Sequence, residues 1–143
     1  MKPLLLLLTI CLLLFSCKKD TSGNQLLWPC DIIQNQDSAT TATNIVGSWR
    51  LVQQRLNSTG EIVMADKAVI VTFNSDSTFT VRENSSITAQ GNWKLYLFSD
   101  KMWALDLTSP SNYLYGFISF CNNKVRFTGS VFDGNDNVFE RVN

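Results

Sequence analysis

Cysteines and carboxylates are the side chains whose number and spacing suggest chemistry in this chain. Its 143 residues include four cysteines, Cys11, Cys17, Cys30 and Cys121, and no histidine. Without histidine there is no imidazole base for a serine or cysteine nucleophile and no imidazole ligand for a metal. The densest run of oxygen donors, Asp133-Gly134-Asn135-Asp136-Asn137, looks like the start of a calcium loop. Such a loop ends on a bidentate carboxylate at its twelfth position, and Glu140 comes too early. A turn between two strands is the simpler reading. No nucleophile–base pair and no metal constellation can be assembled, so neither an enzymatic activity nor a cofactor is expected.

The cysteines lead back to the N-terminus. Lys2 supplies a positive charge, Leu4 to Phe15 an apolar run, and Ser16 a small residue, which is the order of a secretory signal peptide. A membrane-spanning helix needs roughly 18 to 20 apolar residues, and Lys18, Lys19 and Asp20 close this run earlier. The tetrad Leu14-Phe15-Ser16-Cys17 resembles the lipobox of bacterial lipoproteins, with Phe15 standing where a smaller residue is usual. The resemblance implies cleavage after Ser16 and diacylation of Cys17, whose two or more acyl chains would hold the chain to a membrane at about 0.8 kcal/mol per buried methylene. It also implies a place in the bacterial cell envelope. Lys18, not Asp, follows the cysteine, which favours the outer membrane and leaves the leaflet open.

Without residues 1–16 the chain carries 11 basic and 12 acidic side chains, scattered singly. That balance offers no basic stripe, and nucleic acid is not an expected partner. Cys11 leaves with the signal and Cys17 is taken by lipid, so Cys30 and Cys121 remain. An even pair in an oxidising compartment reads as a disulfide, the alternative being two separate thiols. A bridge between them would close a loop of about 90 residues and restrict the unfolded chain by about 4 to 5 kcal/mol.

Residues 17–44 are mostly Ser, Thr, Asn, Gln and Asp and read as a lipidated N-terminus and polar tether, with one apolar island, LLWPCDII, around Trp28 and Cys30. From residue 45 onward no stretch sustains apolar residues at helical spacing. Short β-branched and aromatic runs recur instead, separated by Asn, Ser, Asp and Gly clusters. The pattern predicts eight strands, at 46–54, 67–73, 78–83, 87–97, 101–107, 113–120, 124–128 and 137–142. One long connection, 55–66, has room for an extra hairpin arm around Ser58-Thr59-Gly60. Trp49 and Leu51; Val69, Val71 and Phe73; Phe79 and Val81; Gly91, Trp93 and Leu95; Trp103, Leu105 and Leu107; and Val125 and Phe127 fall two apart on one face. Arg50, Thr80, Arg82, Lys94, Asp106, Lys124 and Arg126 take the other. A meander with one apolar and one charged face fits a closed barrel, and fits a two-sheet sandwich as well.

The choice between them turns on Gly47-Ser48-Trp49 in the first strand and Arg141 in the last. This pairing resembles the lipocalins, in which a Gly-x-Trp begins the barrel and a late arginine packs over the indole at the closed end. The runs VIVTFNSDSTFTV, GNWKL and VFERV are further similar to the small lipocalin-like domains of bacterial envelope lipoproteins, over residues 45–143. Two features depart from the secreted lipocalins: no Thr-Asp-Tyr precedes a later strand, and no C-terminal helix is expected after Arg141. The resemblance implies an all-β, eight-stranded antiparallel up-and-down barrel.

Such a barrel has room for about one small, mostly apolar molecule. The candidate lining residues are Gln53, taken with Trp49 and Leu51 as inward, together with Trp93, Trp103, Leu114, Gly116 and Ile118. Tyr96, Tyr113 and Tyr115 read more readily as core. The competing expectation is an accessory module with a side-chain-filled barrel that meets an envelope protein partner through its loops.

Overall fold

The computed structural model describes residues 28, 30, 36–99 and 102–142; the signal segment, Cys17 and most of the tether lie outside them. One helix, α1 (Ser38–Ile45), precedes nine strands: β1 (Gly47–Arg55), β2 (Ile62–Met64), β3 (Val69–Phe73), β4 (Thr78–Glu83), β5 (Ser86–Ser99), β6 (Met102–Leu107), β7 (Phe117–Cys121), β8 (Lys124–Thr128) and β9 (Asp136–Arg141). Every neighbouring pair is antiparallel, and β9 pairs back onto β1, so eight strands close into an up-and-down barrel. Closure leaves the eight-stranded wall without a free edge. The short β2 is the ninth strand: it lies beside the upper half of β1, where the connection 55–66 folds back through a turn at residues 57–59.

Turn chemistry explains the meander. Asn84 and Ser85 both take positive φ, as do Ser77 and Asn122, conformations that Asn tolerates and two-residue hairpins require. The alternating apolar residues then meet inside. Trp49, Phe73, Phe79, Phe127 and Phe139 are all essentially unexposed, and Phe73 contacts both Phe79 and Trp93 at ring-centroid distances of 6.3 and 5.8 Å.

Residues 38–44, read from sequence as tether, are helical. Asp37 caps α1 by accepting from the Thr40 amide at 2.8 Å, and Thr41 and Ile45, four apart, turn into the base of the barrel. Two inward residues over two turns are too few to register as a periodicity, and three threonines give the segment little intrinsic helicity. Tertiary contacts hold it. The Trp49 indole donates to the Ile45 carbonyl at 2.7 Å, while Arg141 donates to the Asn44 and Val46 carbonyls at 2.6 and 2.9 Å. The same guanidinium lies 4.2 Å from the centroid of the Trp49 ring. Gly47, at φ +131°, leaves the space: a Cβ there would come within 2.5 Å of Arg141 Nη1.

Two departures from the sequence pattern bear on function. The β1–β9 register slips between Leu51 and Gln53. Beyond this bulge Gln54, opposite Asn137, faces inward, and Gln53, opposite Val138, faces out; the inward placement expected of Gln53 is corrected. The sixth strand of the wall, β7, starts at Phe117 and not at residue 113, because Gly116 adopts φ +100° and turns the chain before it out of the ladder.

A second layer covers the outside of β7 and β8. Every residue of β7 is buried, on both faces. Cys30 is bonded to Cys121 with a Cα–Cα distance of 6.0 Å, and the Trp28 ring lies 4.8 Å from the Arg126 guanidinium. Trp28 and Cys30, from the apolar island, are thus held on the wall. Burial pushes the Arg126 pKa down, and the charge of Asp136 opposes that shift.

Replacing Arg141 with Met should cost about 2 to 4 kcal/mol, since the cation–π contact is lost and two carbonyls lose a charged donor. Trp49→Ala should cost about 3 to 5 kcal/mol. In urea unfolding the double mutant is expected to lose less than the sum by more than about 0.5 kcal/mol; additivity within about 0.3 kcal/mol would show that the two side chains act separately.

Candidate functional site

The two ends of the barrel differ in chemistry. At the base, α1, Trp49 and Arg141 close it, and a groove of about 350 Å³ between α1 and β5 is floored by Trp93 and Leu95. At the other end is a cavity of about 540 Å³, open to solvent, with Gln54, Lys67, Glu83, Thr88, Asn112 and Tyr113 in its walls.

Most of these side chains have an identifiable cause for their position. The β1 bulge brings Gln54 inward, where its amide donates to Asn137 Oδ1 at 2.6 Å. Asn137 is fully buried, and its own amide donates to the Asn112 and Tyr113 carbonyls at 3.4 and 3.2 Å. Those bonds fasten the β6–β7 loop, residues 108–116, to β9. Across the mouth the Tyr113 hydroxyl donates to Glu83 Oε2 at 2.8 Å, which fastens the same loop to β4. Lys67 Nζ stands 2.8 Å from the other oxygen, Glu83 Oε1. Between its two fastenings the loop drops Leu114 into the core, where it is 2 % exposed.

Electrostatics follow from these contacts. The Lys67 ammonium, and after it the Tyr113 hydroxyl, hold the Glu83 carboxyl below the usual carboxylate range. Glu83 in turn raises Lys67, first through the hydrogen bond and then through its charge. Burial, and then the bond to Glu83, push the Tyr113 phenol up. The mouth therefore presents an ion pair, a protonated phenol and amides, groups that can exchange hydrogen bonds with a polar ligand or a peptide.

The residues singled out from sequence as ligand-lining do not come together around a void. Ile118 belongs to the packed core, and Trp93 lies at the base with its indole donating to the Thr78 carbonyl at 3.1 Å. Trp103 is half-buried and donates to the Gln36 carbonyl at 2.8 Å, holding the chain as it enters α1. Gln53 is on the outer face. Gly116 makes room for the β8 backbone and not for a ligand: a Cβ there would collide with the Thr128 carbonyl. Leu114 alone borders an apolar hollow, about 240 Å³, shared with Leu105 and Leu107. The Asp133–Asn137 run is a turn after a 3-10 segment (Ser130–Phe132) that leads into the first two residues of β9, with Asp133 at φ 61° and Asp136 accepting from the Ser130 amide at 2.9 Å. Among the described residues no group of three or more His, Cys, Asp or Glu stands together as a metal site.

Sequence reasoning missed Gln54, Lys67 and Glu83, and placed Asn137 only in a turn or at a strand's start. The signal that existed was Asn137 itself, an amide at an inward position of β9, which a closed barrel must partner.

Fold and mouth together define a closed eight-stranded antiparallel barrel with a filled interior and a polar, loop-fastened opening. No protein-family model, curated protein or solved structure matches the chain.

Because Glu83 is held below its unfolded value, its contribution to fastening the loop is complete above the ordinary carboxylate range and is lost as pH falls through the lowered value. An NMR titration should find the Glu83 midpoint moved upward in Tyr113→Phe. An unchanged midpoint would show that the phenol does not bond the carboxylate in solution.

Proposed function

We propose that this chain is a lipocalin-like lipoprotein of the bacterial cell envelope, anchored through acyl chains on Cys17, that acts as a non-catalytic accessory module and meets its ligand or protein partner at the mouth. The observation that carries this reading is the filling of the barrel: Trp49, Phe73, Phe79, Phe127, Phe139 and Leu114 leave the interior to side chains. A packed interior favours a module over a carrier of apolar cargo. Apolar cargo in the barrel remains a second reading through one feature, the hollow beside Leu105, Leu107 and Leu114, which would grow if the loop lifted. The address rests on the sequence, from the charged start and apolar run to Leu14-Phe15-Ser16-Cys17, and the outer membrane is favoured by Lys18.

Two experiments test the two halves of the proposal. Cys17→Ala should leave an exported chain that moves from the detergent phase to the aqueous phase; retention in detergent would mean that the apolar run itself is the anchor. Native mass spectrometry of the full chain purified from its own envelope should show the barrel without bound apolar cargo. A co-purifying apolar mass that is lost in Leu114→Trp, which fills the hollow, would replace the module with a carrier.

A further inference from the structure

Most exposed apolar side chains on this barrel stand singly, as Met64, Ile70 and Ile87 do, and such residues are ordinary. One group does not. Phe98 contacts Phe117 and Phe132 at ring-centroid distances of 5.1 and 5.0 Å, and Phe132 contacts Tyr115 at 5.6 Å. Phe98, Tyr115 and the adjoining Val131 are each about half exposed. Register adds Tyr96: it pairs with Ala104, which pairs with Phe117, so the three form one row across the outer wall. A contiguous exposed aromatic patch of this kind marks a contact surface.

The same wall receives the N-terminal segment. Phe117, Ser119 and Cys121 follow two apart on the outer face of β7, Cys121 bonds Cys30, and Arg126, opposite Ser119, carries Trp28. Trp28 is therefore docked within about two residues, or ~7 Å along the strand, of the patch. Between Trp28 and Cys17 lie residues that, fully extended, reach no more than about 40 Å. An acylated Cys17 thus keeps this wall close to the bilayer at all times, which raises the effective concentration of lipid surface at the patch above that of any diffusing partner.

We propose that Tyr96, Phe98, Tyr115, Val131 and Phe132 form a membrane-contact surface that lays this wall of the barrel against the lipid headgroup region. The inference rests on the lipoprotein reading for its geometry. Phenol and phenyl groups together suit the interface, where one end of the ring is wet and the other dry. Charge contributes little: the outward pair Lys94 and Asp106 neutralises itself at 2.9 Å, and without residues 1–16 the chain is nearly balanced, with 11 basic and 12 acidic side chains. Contact is accordingly apolar in origin and insensitive to salt and to anionic lipid.

The test places an environment-sensitive NBD fluorophore on the full-length protein at Val131→Cys, and in a control at Ile87→Cys, an equally exposed apolar position at the β4–β5 turn. The probe is vesicles of phosphatidylethanolamine and phosphatidylglycerol, and Cys17 acylation is read on the same sample by mass spectrometry. The proposal expects a blue shift with about twofold or greater emission at 131, none at 87, and no dependence on salt or phosphatidylglycerol fraction. It also expects the response at 131 to be lost in Phe98→Ser. A response at 131 in a chain without acyl groups would retain the contact surface and remove the anchor. Silence at 131, acylated or not, overturns the proposal, as does an equal response at both positions. A lipid-independent dimer dispersed by Phe98→Ser would assign the patch to a second copy and overturn it as well.

Discussion

Arg141 over Trp49 is the contact on which closure of the barrel depends. The guanidinium ends β9, stacks on the indole of β1 at 4.2 Å, and donates to the two carbonyls that flank the end of α1. Those carbonyls would otherwise be orphaned at a helix terminus, where a cation is also favoured by the helix dipole. A cation–π contact of about 2 kcal/mol is a large fraction of the roughly 5 to 15 kcal/mol by which a domain is stable. Gly47 belongs to the same unit, since any side chain there would displace the guanidinium. First strand, last strand and capping helix are thus fixed by one side chain.

The fixed base makes the mouth the place where the barrel can vary. Its loop is tied at both margins by Tyr113–Glu83 and by Asn137, and it is weighted in the middle by Leu114. Displacing a buried leucine costs about 2 to 5 kcal/mol, which any cargo entering from this end must offset before it gains affinity. Polar groups at the rim require no such displacement. The distribution of energy therefore favours recognition at the surface of the opening over storage beneath it.

Most of the architecture was legible because it is written in local rules. Alternation gave the faces of β1, β3, β4, β5 and β8, and Asn84-Ser85 and Asn122 gave the turns. Trp49 and Arg141 suggested closure. What escaped depends on tertiary context. Thr41 and Ile45 are too few to announce a helix, and a one-residue bulge that exchanges Gln53 for Gln54 leaves no mark in composition. Without that exchange the mouth could not be assembled on paper, and nothing in the pattern brought Lys67, Glu83 and Asn137 together. Tyr113 read as strand because the residues before Gly116 are as β-prone as those after it.

The bond between Cys30 and Cys121 also decides how the barrel would bear tension. A pull on the chain ahead of Cys30 does not travel along the backbone into α1 and β1; it enters sideways through sulfur at the last residue of β7. There the load meets a strand paired to β8 along its whole length but to β6 at Phe117 alone. The closure at Arg141 lies off this line of force and stays unstressed while the disulfide is intact. Reduction would reroute the load through the helix and the first strand, so the oxidation state of one bond sets which seam of the protein would open first under a pull from the N-terminal side.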